Sequence, residues 1–161
     1  MKTVIISSLA CAAIVAVTSC SKAPDSHDHG AAPAATQFPT GKTKRPADAM
    51  LYIVSPADGA EVSSPVVVNF GLKGMGVAPA GIYLEASPSG HHHLMVDVEE
   101  LPDLDLPLPK DDTHIHFGGG QTETTLELEP GTHTLQLVLG DHGHVPHDPP
   151  MKSEKITITV K

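Results

Sequence analysis

The chain has 161 residues and a formal net charge of −9 with its histidines neutral, and this length suits one sandwich-sized domain. Nucleic acids and anionic membrane surfaces are excluded as expected partners, because both repel an acidic protein. The two cysteines are Cys11 and Cys20, so the residues beyond Cys20 can form no disulfide, thiolate metal site or cysteine nucleophile.

Residues 1–19 resemble a bacterial lipoprotein signal peptide. Lys2 precedes an apolar run of residues 4–17, which is too short for an ordinary membrane-spanning helix. Small residues then lead to Cys20, and the resemblance implies cleavage before this cysteine and lipid attachment to its sulfur. Ser21 follows, where an aspartate would signal retention in the inner membrane. We expect a lipid-anchored protein of the outer membrane that faces the periplasm; an ordinary secretory signal is the alternative.

Residues 20–48 are predicted to be the lipidated cysteine and a disordered tether. The segment is rich in Ala, Pro, Ser, Thr and Lys and has neither a strand nor a helix period. A flexible chain of this length has an end-to-end distance of about 30 Å, which lifts a small domain off a membrane surface. His27 and His29 lie in this tether, where a solvated spacer is favoured over a metal site because a mobile segment cannot preorganise its ligands.

Residues 49–161 are predicted to form an all-β domain. Short apolar or alternating segments recur between turn residues, as strands do. No window favours an amphipathic helix, and the 15 prolines and 14 glycines of the chain would interrupt most helices. Seven short segments favour an immunoglobulin-like β-sandwich of about seven strands. The predicted strands are Leu51–Val54, Pro65–Phe70, Ile82–Ala86, His92–Val98, Thr122–Leu128, Thr132–Leu139 and Lys155–Val160.

Nine of the eleven histidines fall within residues 91–147, mostly in three clusters. Neutral imidazole is the commonest protein ligand for zinc and copper, so such clusters indicate a transition-metal site. Side chains alternate along a strand, which places His91 and His93 about 7 Å apart on one face and His92 on the core face. The second cluster repeats this spacing, whereas the third lies in a turn-rich loop. The predicted metal ligands are His91, His93, His114, His116, His142, His144 and His147.

Whether the three clusters meet depends on which segment is the third strand of the sandwich. If the strand that begins near His91 is the third, all three clusters lie at one end of the sandwich, beside the loop after the sixth strand. If Ile82–Ala86 is the third strand, residues 91–93 lie at the far end. We favour the convergent arrangement.

Four residues near the clusters have predicted supporting roles. Ligating imidazoles are commonly held by carboxylates, and the available ones are Asp97, Asp141 and Asp148. His133 follows a Pro-Gly turn before the sixth strand, where sandwiches often have a residue that bonds back to the turn. We therefore expect His133 to be a structural corner residue, outside the metal site.

Four motifs occur at residues 70–81 (FGLKGMGVAPAG), 90–94 (GHHHL), 114–123 (HIHFGGGQTE) and 139–150 (LGDHGHVPHDPP). Together they resemble the bacterial domain-of-unknown-function family 4399, and the resemblance covers about residues 51–160. It implies a small secreted domain that is often carried as a lipoprotein. It also places the histidines inside the motifs that define the family, without implying an activity or a ligand.

The sequence favours a non-catalytic cell-envelope lipoprotein domain that binds copper or zinc through its clustered histidines. The alternative is a structural or interaction module of the envelope, whose histidines form a hydrogen-bond network that stabilises loops. A metalloenzyme of the copper–zinc superoxide dismutase kind is the third hypothesis, and the missing disulfide and sequence motif count against it. No residue is predicted to be catalytic.

Overall fold

The computed structural model describes residues 41–161, which contain nine β-strands and no helix. The predicted signal peptide, Cys20, His27 and His29 lie outside the described residues. Within residues 41–161, no helix has the length and apolar character that crossing a membrane requires. The strands are β1 (Met50–Ser55), β2 (Glu61–Val62), β3 (Val66–Lys73), β4 (Gly76–Val77), β5 (Ser89–Val96), β6 (His114–His116), β7 (Glu123–Leu126), β8 (Gly131–Gly140) and β9 (Ile156–Val160).

The strands form two sheets that pack as a β-sandwich. One sheet has the order β1-β3-β7, and the other has the order β2-β9-β8-β5-β4, with β6 also paired to β5. Among the longer strands, β1-β3-β7 opposite β9-β8-β5 is the arrangement A-B-E opposite G-F-C of immunoglobulin-like sandwiches. The predicted all-β sandwich is confirmed, and β5 occupies the place of the third strand, C.

Alternate residues of facing strands build the core between the two sheets. Val66 and Val68 of β3 lie in one buried apolar cluster with Leu135, Leu137 and Leu139 of β8. Side chains alternate between the faces of a strand, so a period of two directs all five side chains inward. Burial of each removes apolar surface from water and stabilises the fold by about 1.5–3 kcal/mol.

Strand β5 is buried on both of its faces. Leu94 and Val96 join the core between the sheets, whereas Met95 packs in a second apolar cluster with Leu108 and Val138. This second cluster lies on the outer face of the larger sheet, where the connection after β5 folds back over it. The outer face of β5 is therefore buried beneath this connection, and the polar side chains on it are withdrawn from water.

Two details of the predicted strands are wrong. Residues Ile82–Ala86 are irregular and end in a turn, in which Ser87 N donates to Leu84 O at 3.2 Å. The strand predicted to run to Val98 ends at Val96, because Asp97 has a φ of +57°. A residue in the left-handed region breaks the extended backbone on which strand pairing depends.

Residues 42–45 pack against the sandwich, although the sequence places them in the tether. Asp148 N donates to Thr43 O at 2.8 Å. Lys42 Nζ donates to Leu104 O at 2.9 Å, which joins this segment to the connection that covers the outer face of β5. The folded domain consequently begins before the boundary predicted from the sequence.

Removal of core volume between the sheets should destabilise the domain. Leu137 is 0% exposed, and Leu137→Ala is expected to lower the free energy of unfolding by about 2–5 kcal/mol, because the cavity left behind closes only partly. Val67 is 53% exposed, so Val67→Ala is the control and should change the free energy by less than about 0.5 kcal/mol. Urea denaturation measures both, and equal effects would contradict this assignment of the core.

Candidate metal centre

Strand β5 carries two histidines on its outer face and one on its core face. His91 and His93 are both 0% exposed. The ring of His92 packs 5.1 Å from the ring of Phe70 in the core, and His92 Nδ1 lies 3.1 Å from Gln121 O. The predicted alternation along this strand is confirmed, and His92 serves the packing of the sandwich.

Strand β6 brings a third imidazole to the outer face of β5. The antiparallel register pairs His93 with His116, and side chains of cross-strand partners lie on the same face, about 5 Å apart. The ring centroid of His116 is accordingly 5.0 Å from that of His91 and 5.0 Å from that of His93. Two paired strands thus hold three imidazoles together.

The fourth imidazole comes from the loop after β8. His144 has a φ of +69°, which is uncommon for a residue other than glycine. Its ring centroid lies 4.9 Å from His91, 4.8 Å from His116 and 6.0 Å from His93. We call His91, His93, His116 and His144 the histidine quartet.

Ring nitrogens of His91, His93 and His116 have separations close to those of metal ligands. His91 Nε2 lies 3.1 Å from His93 Nε2, and one ring nitrogen from each of His91, His93 and His116 lies within 4.8 Å of the others. A tetrahedral zinc ion with bonds of about 2.0–2.1 Å separates its ligand nitrogens by about 3.3 Å. Small rotations of these side chains would bring the nitrogens to a common ion.

Two glycines make room for the imidazoles, because a side chain at either position would come close to them. A Cβ on Gly118 would lie only 2.3 Å from His116 Cε1. A Cβ on Gly140, in β8, would lie 3.0 Å from His93 Nε2 and 3.3 Å from His144 Cα. A side chain at position 118 would displace the ring of His116, and one at position 140 would require its neighbours to shift by a few tenths of an ångström.

Burial keeps the imidazoles of His91, His93 and His116 neutral. Desolvation, reinforced by the neighbouring His144 and His116, lowers the pKa of His91 to about 4. Desolvation, reinforced by His91, lowers the pKa of His93 to about 3. Burial also lowers the pKa of His116. The lone pairs of these three rings are consequently available to a metal at neutral pH.

Hydrogen bonding distinguishes His133 from three members of the quartet. His91 Nδ1, His93 Nδ1 and His116 Nε2 are buried without a hydrogen-bond partner among the described residues, as are His92 Nε2 and His147 Nδ1 outside the quartet. In contrast, His133 Nδ1 lies 2.7 Å from an aspartate carboxylate and His133 Nε2 lies 2.9 Å from Glu129 O. His133 is thus the corner residue that the sequence predicts, because its ring bonds back to the turn before β8.

Three of the predicted metal ligands lie apart from the quartet. His114 Nδ1 lies 2.9 Å from the carboxylate of Asp111. His147 Nε2 lies 3.2 Å from a backbone carbonyl oxygen of β5, and the ring centroid of His142 lies 5.3 Å from that of Tyr83. His142 and His147 both line a surface cavity of about 190 Å³ that none of the quartet lines.

Of the three carboxylates predicted to hold the ligands, Asp141 is the one beside the quartet. Asp97 bonds to the corner histidine, and Asp148 forms an ion pair with Lys44 at 3.4 Å. Asp141 is buried and accepts hydrogen bonds from backbone amides in the loop that carries His144. Its role is to order this loop, and its charge raises the pKa of His91 against the dominant effect of burial.

The close approach of the Gly140 backbone to the imidazoles of the quartet was not predicted from the sequence. A glycine inside a strand pattern is a signal of close backbone approach, and Gly140 ends the alternating segment of β8. The signal does not reveal which group makes the approach. His93 is distant from Gly140 in the sequence, and His144 lies in a loop whose sequence has neither a strand nor a helix period.

The fold and the site together define an immunoglobulin-like sandwich domain with a buried cluster of histidines. The chain belongs to the family of domains of unknown function DUF4399, whose family model matches residues 68–161. The resemblance noted in the sequence is confirmed, and the matched residues contain the whole quartet. No curated protein matches the chain. No solved structure matches it either.

Acid should destabilise the metal-free protein within a pH range that the quartet sets. An unfolded histidine titrates near pH 6.5, whereas folded His91 and His93 titrate at about 4 and about 3. At a pH between 6.5 and these lowered pKa values, the two histidines are protonated in the unfolded chain but not in the folded chain. The free energy of unfolding should therefore fall as pH decreases, by up to about 1.4 kcal/mol per histidine per pH unit. Urea denaturation of chelator-treated protein from about pH 7.5 to about pH 4.5 measures this slope.

Two variants test the origin of this slope. His93→Gln removes one group with a lowered pKa and should flatten the loss of stability in acid. His133→Asn is the matched control, because the pKa of His133 is raised, chiefly by its hydrogen bond to Asp97. Loss of that group should leave the slope unchanged or make it steeper. Wild-type stability that is independent of pH in this range would contradict burial of neutral imidazoles in the quartet.

Proposed function

We propose that this domain binds copper or zinc through the histidine quartet and acts as a non-catalytic metal-binding module of the cell envelope. One observation carries the proposal: ring nitrogens of buried His91, His93 and half-buried His116, held by two paired strands, lie within 4.8 Å of one another. His144 adds a fourth imidazole from the loop after β8. Three or four such nitrogens are what a zinc or copper centre requires.

A hydrogen-bond network accounts for the quartet less well than a metal does. Buried polar groups are nearly always hydrogen-bonded, because an unpaired one costs about 1–3 kcal/mol. Among the described residues, His91, His93 and His116 each have a buried ring nitrogen without a partner. A cation that accepts a lone pair from His116 Nε2 would offset the cost at that atom, whereas the hydrogen bond between Nε2 of His91 and Nε2 of His93 leaves it in place.

The chemistry of the donors favours copper and zinc. Magnesium and calcium prefer oxygen ligands, whereas imidazole nitrogen suits zinc and copper. Four imidazoles complete a tetrahedral set and leave no position for water or substrate, which is the character of closed metal sites rather than catalytic ones. We therefore propose that the domain buffers the ion or hands it on.

The place of action that we propose is the outer membrane, on its periplasmic side. The support for it is the lipoprotein-like signal at residues 1–19, with Cys20 as the lipidated residue that would attach the chain to the membrane. The tether after Cys20 would then hold the domain in the periplasm, where it would meet copper or zinc entering the cell.

Calorimetric titration of the chain without an added histidine tag should show one copper or zinc ion bound per chain, with a dissociation constant well below about 1 mM. The double variant His91→Ala/His93→Ala should lose this binding, because it removes two of the strand ligands. Gly118→Ala should weaken binding at least about tenfold, because its Cβ would displace the ring of His116.

Two controls separate the quartet from other histidines. His133→Ala removes an imidazole that holds a turn, and His27→Ala/His29→Ala removes those of the predicted tether. Both variants should bind metal as the wild type does. Binding no tighter than about 1 mM by the wild type, for copper and zinc alike, would overturn the proposal.

Metal binding should resist mild acid. Ordinary histidine ligands begin to lose metal near pH 6.5 as they protonate. The pKa values of His91 and His93 are lowered to about 4 and about 3, so between about pH 7.5 and about pH 6 the dissociation constant should change less than that of a free peptide with the same number of histidines. Titrations at both pH values measure this, and a weakening as steep as that of a free histidine peptide would contradict it.

A further inference from the structure

The quartet has two kinds of ligand, which differ in how firmly the fold holds them. His91, His93 and His116 lie on the paired strands β5 and β6, where ladder hydrogen bonds set their positions. His144 lies in a loop, with a φ of +69°. A residue with a Cβ keeps that conformation only when its surroundings impose it.

One buried carboxylate bonds to the backbone on both sides of His144. Asp141 is 3% exposed, and its Oδ1 accepts hydrogen bonds from Gly143 N at 2.8 Å and from Val145 N at 3.1 Å. These two amides stand directly before and after His144. The backbone of His144 is also bonded to the same residue, because His144 N donates to Asp141 O at 3.0 Å.

The second oxygen of this carboxylate ties the loop to the segment that precedes the sandwich. Asp141 Oδ2 accepts a hydrogen bond from Thr43 Oγ1 at 3.1 Å. Thr43 O accepts one from Asp148 N at 2.8 Å, so the segment spans both ends of the loop that carries His144. Thr43 lies close to the end of the predicted tether.

We propose that Asp141 is the positioning residue that holds His144 as the fourth metal ligand, and that Thr43 latches this arrangement, so that copper or zinc enters and leaves through the loop of residues 141–148. The inference rests on the proposed function and adds the route of exchange. Release of one loop opens the coordination sphere, whereas release of a strand ligand would break the sheet. The three strand ligands therefore retain the ion while the loop moves.

Cobalt(II) is the probe for this assignment, because its visible absorption reports whether four ligands surround the ion in a tetrahedron. The full chain, wild type, should give the intense spectrum of a tetrahedral site. His144→Ala should lower that intensity, since water replaces the lost imidazole. Asp141→Ala should reproduce the spectrum of His144→Ala, although it removes no imidazole, whereas Asp141→Asn should retain more of the wild-type intensity, because its amide oxygen can still accept from Gly143 N and Val145 N.

Dissociation kinetics test the latch. The rate of cobalt transfer to a chelator should rise about 10-fold or more in Asp141→Ala. Thr43→Val should also raise the rate while the tetrahedral spectrum is retained, because the variant loosens the loop without removing its central carboxylate. Asp97→Asn is the matched control, since Asp97 bonds to His133 and Thr134; it should leave both spectrum and rate unchanged.

The outcomes distinguish this inference from the proposed function. If His144→Ala or Asp141→Ala keeps the wild-type spectrum and transfer rate while cobalt still binds, the inference is overturned and the proposed function stands. If Thr43→Val leaves the transfer rate unchanged, the latch is overturned. If the wild-type chain binds neither cobalt, copper nor zinc, both the inference and the proposed function are overturned.

Discussion

The register of β5 against its two neighbours is the constraint on which the rest of the structure depends. Pairing with β6 puts His116 beside His93, and pairing with β8 puts Gly140 opposite His91. A slip of one residue in a strand moves every side chain to the opposite face. Such a slip in β5 would bring His92 to the outer face and drive His91 and His93 into the core between the sheets. The apolar residues that alternate with the histidines, above all Leu94, therefore specify the site as well as the core.

The site exists because the outer face of β5 is covered. Met95 and Leu108 belong to a second apolar cluster on that face, and Leu108 N donates to His144 O at 2.9 Å. The connection that follows β5 and the loop that follows β8 are thus bonded to each other above the imidazoles. Withdrawal from water makes protonation of His91 and His93 unfavourable, which is the main cause of their lowered pKa values. Under the same cover, a protonated imidazole is unfavourable. A cation that several ring nitrogens of the quartet coordinate would suit this position.

Histidines of this domain have different roles that their surroundings decide. His133 has a carboxylate and a carbonyl as partners, and it secures a turn. His92 packs on Phe70 in the core. His91 and His93, one residue away on either side, have each other as a hydrogen-bond partner and other imidazoles as neighbours. Position on the strand, and not residue type, separates His92 in the core from His91 and His93 in the quartet.

Much of the fold and part of the site could be predicted from the sequence. Alternating apolar residues in segments such as Thr132–Leu139, with turn residues between them, specify strands and their buried faces, because a strand has a period of two. The same period assigned His91 and His93 to one face and His92 to the other. It left open whether the strand near His91 or Ile82–Ala86 is the third strand, and the structure has the arrangement that we favoured, with β5 in the third place.

The sequence by itself determined the all-β class, the face of each strand and the supply of imidazoles, because these are local properties of the chain. Tertiary structure decided which imidazoles meet: His144 joins three strand histidines, whereas His114 turns to Asp111 and His147 to a backbone carbonyl. The physical reason is that loop conformation depends on distant partners. The carboxylate of Asp141, the hydroxyl of Thr43 and the missing side chain of Gly140 place His144, and no pattern in the sequence connects them.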